Sequence, residues 1–214
     1  MLEEATRLIL IRHGETAWNR ATRIQGHTDI PLSALGLAQA ERVAEALADE
    51  PLAAVYSSDL SRASQTAEAV ARRQGLSVQI DVGLRERAFG RFEGLSWDEI
   101  AQNYPEDSTR WRKREPDFAV GGGESLVTFS ARCLAAARRA AAAHPGQNIA
   151  VVAHGGVLDC LYRAATRTAL DAPRSWQLGN ATVNRLLATP EGFTLVGWND
   201  DRHLTGLSAD DIAA

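Results

Sequence analysis

Apolar and polar positions alternate along this chain in blocks whose period changes. Leu8-Ile9-Leu10-Ile11 is an unbroken apolar run, the signature of a strand buried on both faces in a parallel sheet. Ile149-Ala150-Val151-Val152-Ala153 repeats it. Between them the period lengthens to that of helices. Ser33 reads as the N-cap of a helix with Leu37, Ala40, Ala44 and Leu47 as its inward stripe and Pro51 marking its end. Ala53–Tyr56 reads as a strand, Asp59 as the N-cap of a helix carrying Arg62 in its first turn, and Ser77–Asp81 as a short strand. Ser96 and Glu99 form a capping box for a short helix reaching Asn103, and Pro105–Phe118 reads as a charged helical insert. Gly121-Gly122-Gly123 reads as a flexible hinge into an Ala-rich helix, Ser125–His144, which offers Leu126, Phe129, Cys133 and Leu134 for packing and stops at Pro145-Gly146. Val157–Ala165 is helical, Asn180–Ala188 and Phe193–Trp198 form a hairpin, and the tail from Asp200 has little to hold it down. Alternating strands and helices predict an α/β fold with a mostly parallel sheet. The whole chain, 1–214, reads as one domain, with 98–123 as a lid-like insert.

Both apolar strands end the same way. The first runs into Arg12-His13-Gly14-Glu15-Thr16, the second into His154-Gly155-Gly156. Ligands in open α/β sheets bind beyond the carboxyl ends of strands, so each histidine is placed where chemistry happens. A lone histidine there reads as a strand cap satisfying local backbone groups. Two matching strand-His-Gly endings argue for one shared crevice.

Composition narrows the alternatives. A net charge of −4 and no long basic run argue against a nucleic-acid partner. The basic cluster Arg110, Arg112, Lys113, Arg114 is flanked by Glu106, Asp107 and Glu115, and reads equally as a solvated helix face or an anion-facing lid. No apolar stretch reaches membrane-span length, and the acidic start, Met1-Leu2-Glu3-Glu4, lacks the features of a signal peptide; a cytoplasmic protein is expected. Cys133 and Cys160 read as reduced, buried residues, too few for a cysteine-rich metal site.

Other polar positions bear on the crevice. The loop from Thr16 to Leu32 is long and carries Asn19, Gln25, Gly26 and His27, which suits a functional loop. Arg62 in a first helical turn opposes the macrodipole unless an anion is bound beside it or a carboxylate pairs with it. Gly155-Gly156 places a second helix start near the second histidine. Glu86 and Glu93 both lie in the glycine- and aromatic-containing loop Leu84–Gly94, and either could act as a general acid; spacing alone does not choose.

Arg12-His13-Gly14, Ser58-Asp59-Leu60-Ser61-Arg62-Ala63, Glu86 and His154-Gly155 together resemble the histidine phosphatase superfamily, also called phosphoglycerate mutase-like, from residue 7 to about 198. The resemblance implies a three-layer α/β/α sandwich. It also implies His13 as a nucleophile that becomes phosphohistidine, with Arg12, Arg62 and His154 holding phosphoryl oxygens and Glu86 as proton donor. Asn19 and Gln25, with Gly26 and Gly155 beside the site, match substrate-contacting positions. No metal or other cofactor is implied. The sequence after Glu86, Arg-Ala-Phe-Gly-Arg-Phe-Glu-Gly, is more similar to the phosphatases of the family than to its mutases. The expected activity is therefore metal-independent hydrolysis of a small phosphorylated metabolite. The alternatives are a cofactor-dependent phosphoglycerate mutase, for which Arg112-Lys113-Arg114 could supply a basic pair, and a non-catalytic phospho-ligand binder. A zinc hydrolase built on His13, His154 and Glu86 is weaker, because no close-spaced ligand pair exists. Oligomeric state is open, a homodimer among the options.

Overall fold

A computed structural model describes residues 5–208. The expectation about the acidic start falls on residues 1–4, outside the described residues. The chain runs β1 (Thr6–Arg12), α1 (Ala17–Arg20), α2 (Ala34–Ala46), β2 (Ala54–Ser57), α3 (Ser61–Gln74), β3 (Val78–Ile80), α4 (Trp97–Asn103), α5 (Pro105–Arg112), α6 (Leu126–Ala142), β4 (Asn148–Ala153), α7 (Gly155–Thr166), β5 (Val183–Thr189) and β6 (Gly192–Asp200). The strands form one sheet in the order β3-β2-β4-β1-β5-β6. The first four in that order are parallel; β5 runs antiparallel to β1 and to β6.

The apolar runs of β1 and β4 are buried on both faces because each face is covered. Leu8, Leu10, Ile149 and Val151 pack with Phe129, Cys133 and Ala137 of α6 and Val157 and Leu161 of α7. Ile9, Ile11, Ala150 and Val152 pack with Val43 of α2 and Ala63, Ala67 and Val70 of α3. This is the α/β/α sandwich. A smaller cluster of Phe92, Ile100, Phe118 and Val120 with Phe89 and Trp111 gives the 89–120 region its own apolar centre. Cys133 and Cys160 are free and buried.

Several local expectations need correction. Leu37 is 49% exposed, and Gly36, Ala40, Val43 and Ala44 form the buried stripe of α2. Asp59 does not cap α3; the N-cap is Leu60, without a side-chain bond. Asp59 instead pairs with Arg85, and Asp29 caps the helix by accepting from the Ser61 amide at 2.7 Å and its hydroxyl at 2.6 Å. The charged insert is helical only to Arg112, after which Arg114 takes φ 55°. Gly121–Gly123 is no free hinge: the Arg91 amide donates to the Gly121 carbonyl at 3.1 Å, and a Cβ at 123 would lie 2.4 Å from the Ala88 carbonyl oxygen. The tail is held through residue 204, since His203 Nε2 donates to the Ala181 carbonyl at 2.8 Å and Leu204 packs against the α2/α3 core. No helix among the described residues is long and apolar enough to cross a membrane.

Candidate active site

Strand register brings the two histidines together. Arg12 lies opposite Ala153 in the parallel β1–β4 ladder, and the His13 amide extends it by donating to the Ala153 carbonyl at 3.0 Å. His13 and His154 therefore leave adjacent strand ends, with ring centroids 5.2 Å apart. His13 Nδ1 lies 2.7 Å from the Gly14 carbonyl oxygen. A carbonyl only accepts, so Nδ1 holds the proton and Nε2 keeps its lone pair. Burial, reinforced by the charges of Arg62 and Arg12, holds the His13 pKa well below the usual imidazole range. The ring is thus a neutral base at neutral pH. His154 is fully buried against it and is not among the residues that line the cavity. Its Nε2 is 2.7 Å from the Ser58 hydroxyl, and its Nδ1 is buried without a hydrogen-bond partner. Burial and then Arg62, His13 and Arg12 keep it neutral too.

The arginines are held by backbone rather than by carboxylates. Arg62 is buried at the start of α3 and donates to the carbonyls of Thr28 at 3.0 Å and Gly26 at 2.7 Å. Gly26 can present that carbonyl because it adopts φ +55°, and a Cβ there would collide with Glu93 Oε1 at 2.1 Å. Arg12 donates to the Leu178 carbonyl. Desolvation lowers its pKa to about 10, with Glu86 opposing and Arg174 and Arg62 adding to the shift; it remains charged at neutral pH. The Nε atoms of both Arg12 and Arg62 are buried and unpartnered. Buried unpartnered donors cost about 1–3 kcal/mol each, so a site holding two beside a neutral imidazole suits an oxyanion.

The structure separates the two glutamates. Glu93 accepts from the His27 and Phe89 amides with one oxygen and from the Thr28 amide and hydroxyl with the other, which ties two loops together. Glu86 lies on the cavity wall. Its Oε1 accepts from the Arg87 amide at 2.8 Å and its Oε2 from the Gly156 amide at 3.0 Å. A Cβ at 156 would stand 2.2 Å from Glu86 Oε1, so any larger residue there would displace the carboxylate. Asn19, Gln25, Gly26 and Gly155 also line the cavity. Asn19 Oδ1 is engaged by the Thr16 amide in a capping box at 3.0 Å, and Gln25 Oε1 accepts from the Thr16 hydroxyl at 3.0 Å, so each has its carbonyl end anchored.

Sequence reasoning missed several participants. Ser58 orients His154. Arg132 donates to the carbonyls of Gly83, Arg85 and Glu86, the last of which also accepts at 2.8 Å from Nε2 of His27, a residue the loop reading already carried. Arg87, Asp159 and Arg174 lie on the cavity wall. Only Ser58 and Asp159 had any local signal, one just beyond a strand, the other in the first turns of a helix beside a histidine. From the basic cluster Arg112 and Arg114 reach the wall, together with Trp111.

Fold and site together define an α/β protein with an anion-suited crevice at the carboxyl edge of its parallel strands. A family model described as the histidine phosphatase superfamily (branch 1) matches residues 8–201. The chain is 40% identical over 201 residues to "Phosphoglycerate mutase-like protein 4" of Arabidopsis thaliana, covering 92% of this chain and 86% of that one. It is 38% identical over 207 residues to "Metal-independent phosphoserine phosphatase" of the same organism, covering 95% and 85%. Among solved structures, a mycobacterial glucosyl-3-phosphoglycerate phosphatase complexed with VO3 superposes with a TM-score of 0.81 at 33% identity, over 91% of this chain and 99% of that one. This chain belongs to branch 1 of the histidine phosphatase superfamily.

Proposed function

We propose that the protein is a metal-independent phosphomonoesterase that hydrolyses a small phosphorylated metabolite through a phosphohistidine at His13. The observation that carries this is the His13 imidazole, its Nδ1–H fixed on the Gly14 carbonyl and its Nε2 lone pair free beside two buried guanidiniums. Nε2 would attack phosphorus while Arg12 and Arg62 stabilise the equatorial oxygens and His154 packs edge-on against the His13 ring. The ester oxygen would leave with a proton from Glu86. In the second half, water would attack the phosphohistidine, Glu86 taking its proton, and inorganic phosphate would depart. Residues 98–123 would act as a lid, consistent with Trp111 and Arg112 on the wall.

A mutase reading is favoured by one observation, the basic pair near the cavity. One member of that pair is already engaged: Arg114 bonds Asp159 and the Leu170 carbonyl. That supports the hydrolase. Purified protein should release phosphate from p-nitrophenyl phosphate in the presence of a chelator. With 3-phosphoglycerate it should release phosphate faster than it forms the 2-isomer, whether or not bisphosphoglycerate is added. His13→Ala should lose both turnover and acid-labile phosphate labelling. Labelling that persists in that variant would sink the assignment of the nucleophile, and dominant isomerisation would select the mutase.

A further inference from the structure

The cavity in front of His13 has a volume of about 550 Å³, far more than a phosphoryl group fills, and its outer wall is basic. Arg87 spends its guanidinium on the carbonyls of Glu124 and Phe118. Arg114 shares the buried Asp159 carboxylate with Arg163. Arg112 and Arg174 also line the cavity, and neither side chain has a hydrogen-bond or ion-pair partner among the described residues. In a chain of net charge −4 this is a local surplus of positive charge, open to an anion from solvent.

Arg174 is the better placed of the two. It lies near enough to Arg12 for the two charges to disfavour one another. The strap that carries it, residues 167–180, is anchored on both sides of Arg174. Arg163 donates to the Ala169 carbonyl, Arg114 to Leu170, Trp198 to Gln177 and Arg12 to Leu178. Trp176 stacks on Tyr162 with centroids 4.0 Å apart. Arg174 is thus an unpaired cation presented from a fixed support, close to the phosphoryl site. Trp97, just before the insert, and Trp111 within it, stacked at 4.4 Å, supply an apolar wall for a short carbon skeleton.

We propose that Arg174 is a specificity-determining residue that selects phosphate monoesters carrying a second anionic group, a carboxylate in particular, a few atoms from the ester. A guanidinium grips a carboxylate with paired donors, whereas an alcohol in the same place leaves those donors unmatched. The proposal rests on the phosphatase reading for its consequence in turnover, but the recognition itself precedes chemistry.

The test compares 3-phosphoglycerate with glycerol 3-phosphate, which differ by a carboxylate against a hydroxymethyl group. The wild-type protein should prefer the carboxylated ester in kcat/KM by about ten- to a hundredfold, the range of a charge-assisted hydrogen-bonding contact. Arg174→Ala should collapse that ratio, mainly by weakening apparent binding of the carboxylated ester (a higher KM) with kcat little changed, and Arg174→Lys should restore part of it. A ratio that survives in Arg174→Ala, with both substrates falling in parallel, would overturn the proposal, as would a wild-type protein without preference. Calorimetric binding of the same two esters to His13→Ala reads the ratio without turnover. Retained discrimination in that variant, together with a wild-type protein that hydrolyses neither ester nor p-nitrophenyl phosphate, would end the phosphatase reading alone. Equal binding in a protein that hydrolyses p-nitrophenyl phosphate would end this inference alone.

Discussion

A histidine sealed in a protein beside two arginines cannot easily accept a second proton, and this has consequences for both chemistry and stability. In the unfolded chain His13 and His154 titrate near 6.5, whereas in the fold burial, with Arg62 next in weight, depresses both well below that value. Below about pH 6.5 the unfolded state therefore binds more protons, and stability is lost progressively as pH falls toward the folded values. The slope is up to about 1.4 kcal/mol per pH unit for each histidine. Urea unfolding between pH 7 and 5 should show this loss, and His13→Asn should remove one histidine's share; an unchanged slope would contradict the buried neutral ring. Glu86→Gln keeps an acceptor for the Arg87 and Gly156 amides but loses the proton that the proposed mechanism has Glu86 donate. Hydrolysis of alkyl phosphates should fall by about 10²–10⁴-fold. Hydrolysis of p-nitrophenyl phosphate should fall far less, because its leaving group needs little protonation. Equal losses on both substrates would make Glu86 structural. Spacing could not separate Glu86 from Glu93, because what separates them is which amides surround each carboxylate, and those come from distant loops.

At the scale of elements, the strands were the most legible part. β1 and β4 are central strands, and burial on both faces leaves no polar position to obscure the pattern. Helix starts were less legible where the cap comes from elsewhere in the chain. Asp29, thirty-two residues before Ser61, does for α3 what adjacent Asp59 was expected to do. Because α3 holds Arg62 in its first turn, Asp29→Ala should act twice. It should cost about 1 kcal/mol of stability in urea titration, as for other lost caps, and it should raise the apparent Kd for inorganic phosphate. A loss of stability with phosphate binding intact would separate the helix cap from the site. Leu37 reads as core by period yet faces solvent, since Gly36 lets the helix backbone approach the Glu15 segment at that turn.

At the scale of the whole molecule, Asp159 joins three parts of the chain. It is buried on α7, pairs with Arg163 at 2.9 Å on the same helix and with Arg114 at 2.9 Å beyond α5, while both arginines also hold carbonyls of the 167–180 strap. Asp159→Asn would leave the buried Arg163 without its counter-charge. Breaking a buried pair in this way costs about 3–5 kcal/mol. Thermal unfolding should register it as one of the largest effects of any single polar substitution in the cavity wall, and a shift near zero would show that the arginines are satisfied by the strap carbonyls alone.

The chain's order of apolar and polar residues determined the layers, the two histidine-bearing strand ends and the family, because these follow from local periodicity and from short contiguous motifs. Only the tertiary structure decided which glutamate faces the cavity, that His154 is sealed against His13, that Asp29 caps α3, and that Arg174 lines the cavity. Each of those facts depends on residues far apart in the chain meeting across the sheet's carboxyl edge. A pattern read along one dimension carries the burial of a strand, but it carries neither the partner of a charge nor the direction in which a loop delivers it.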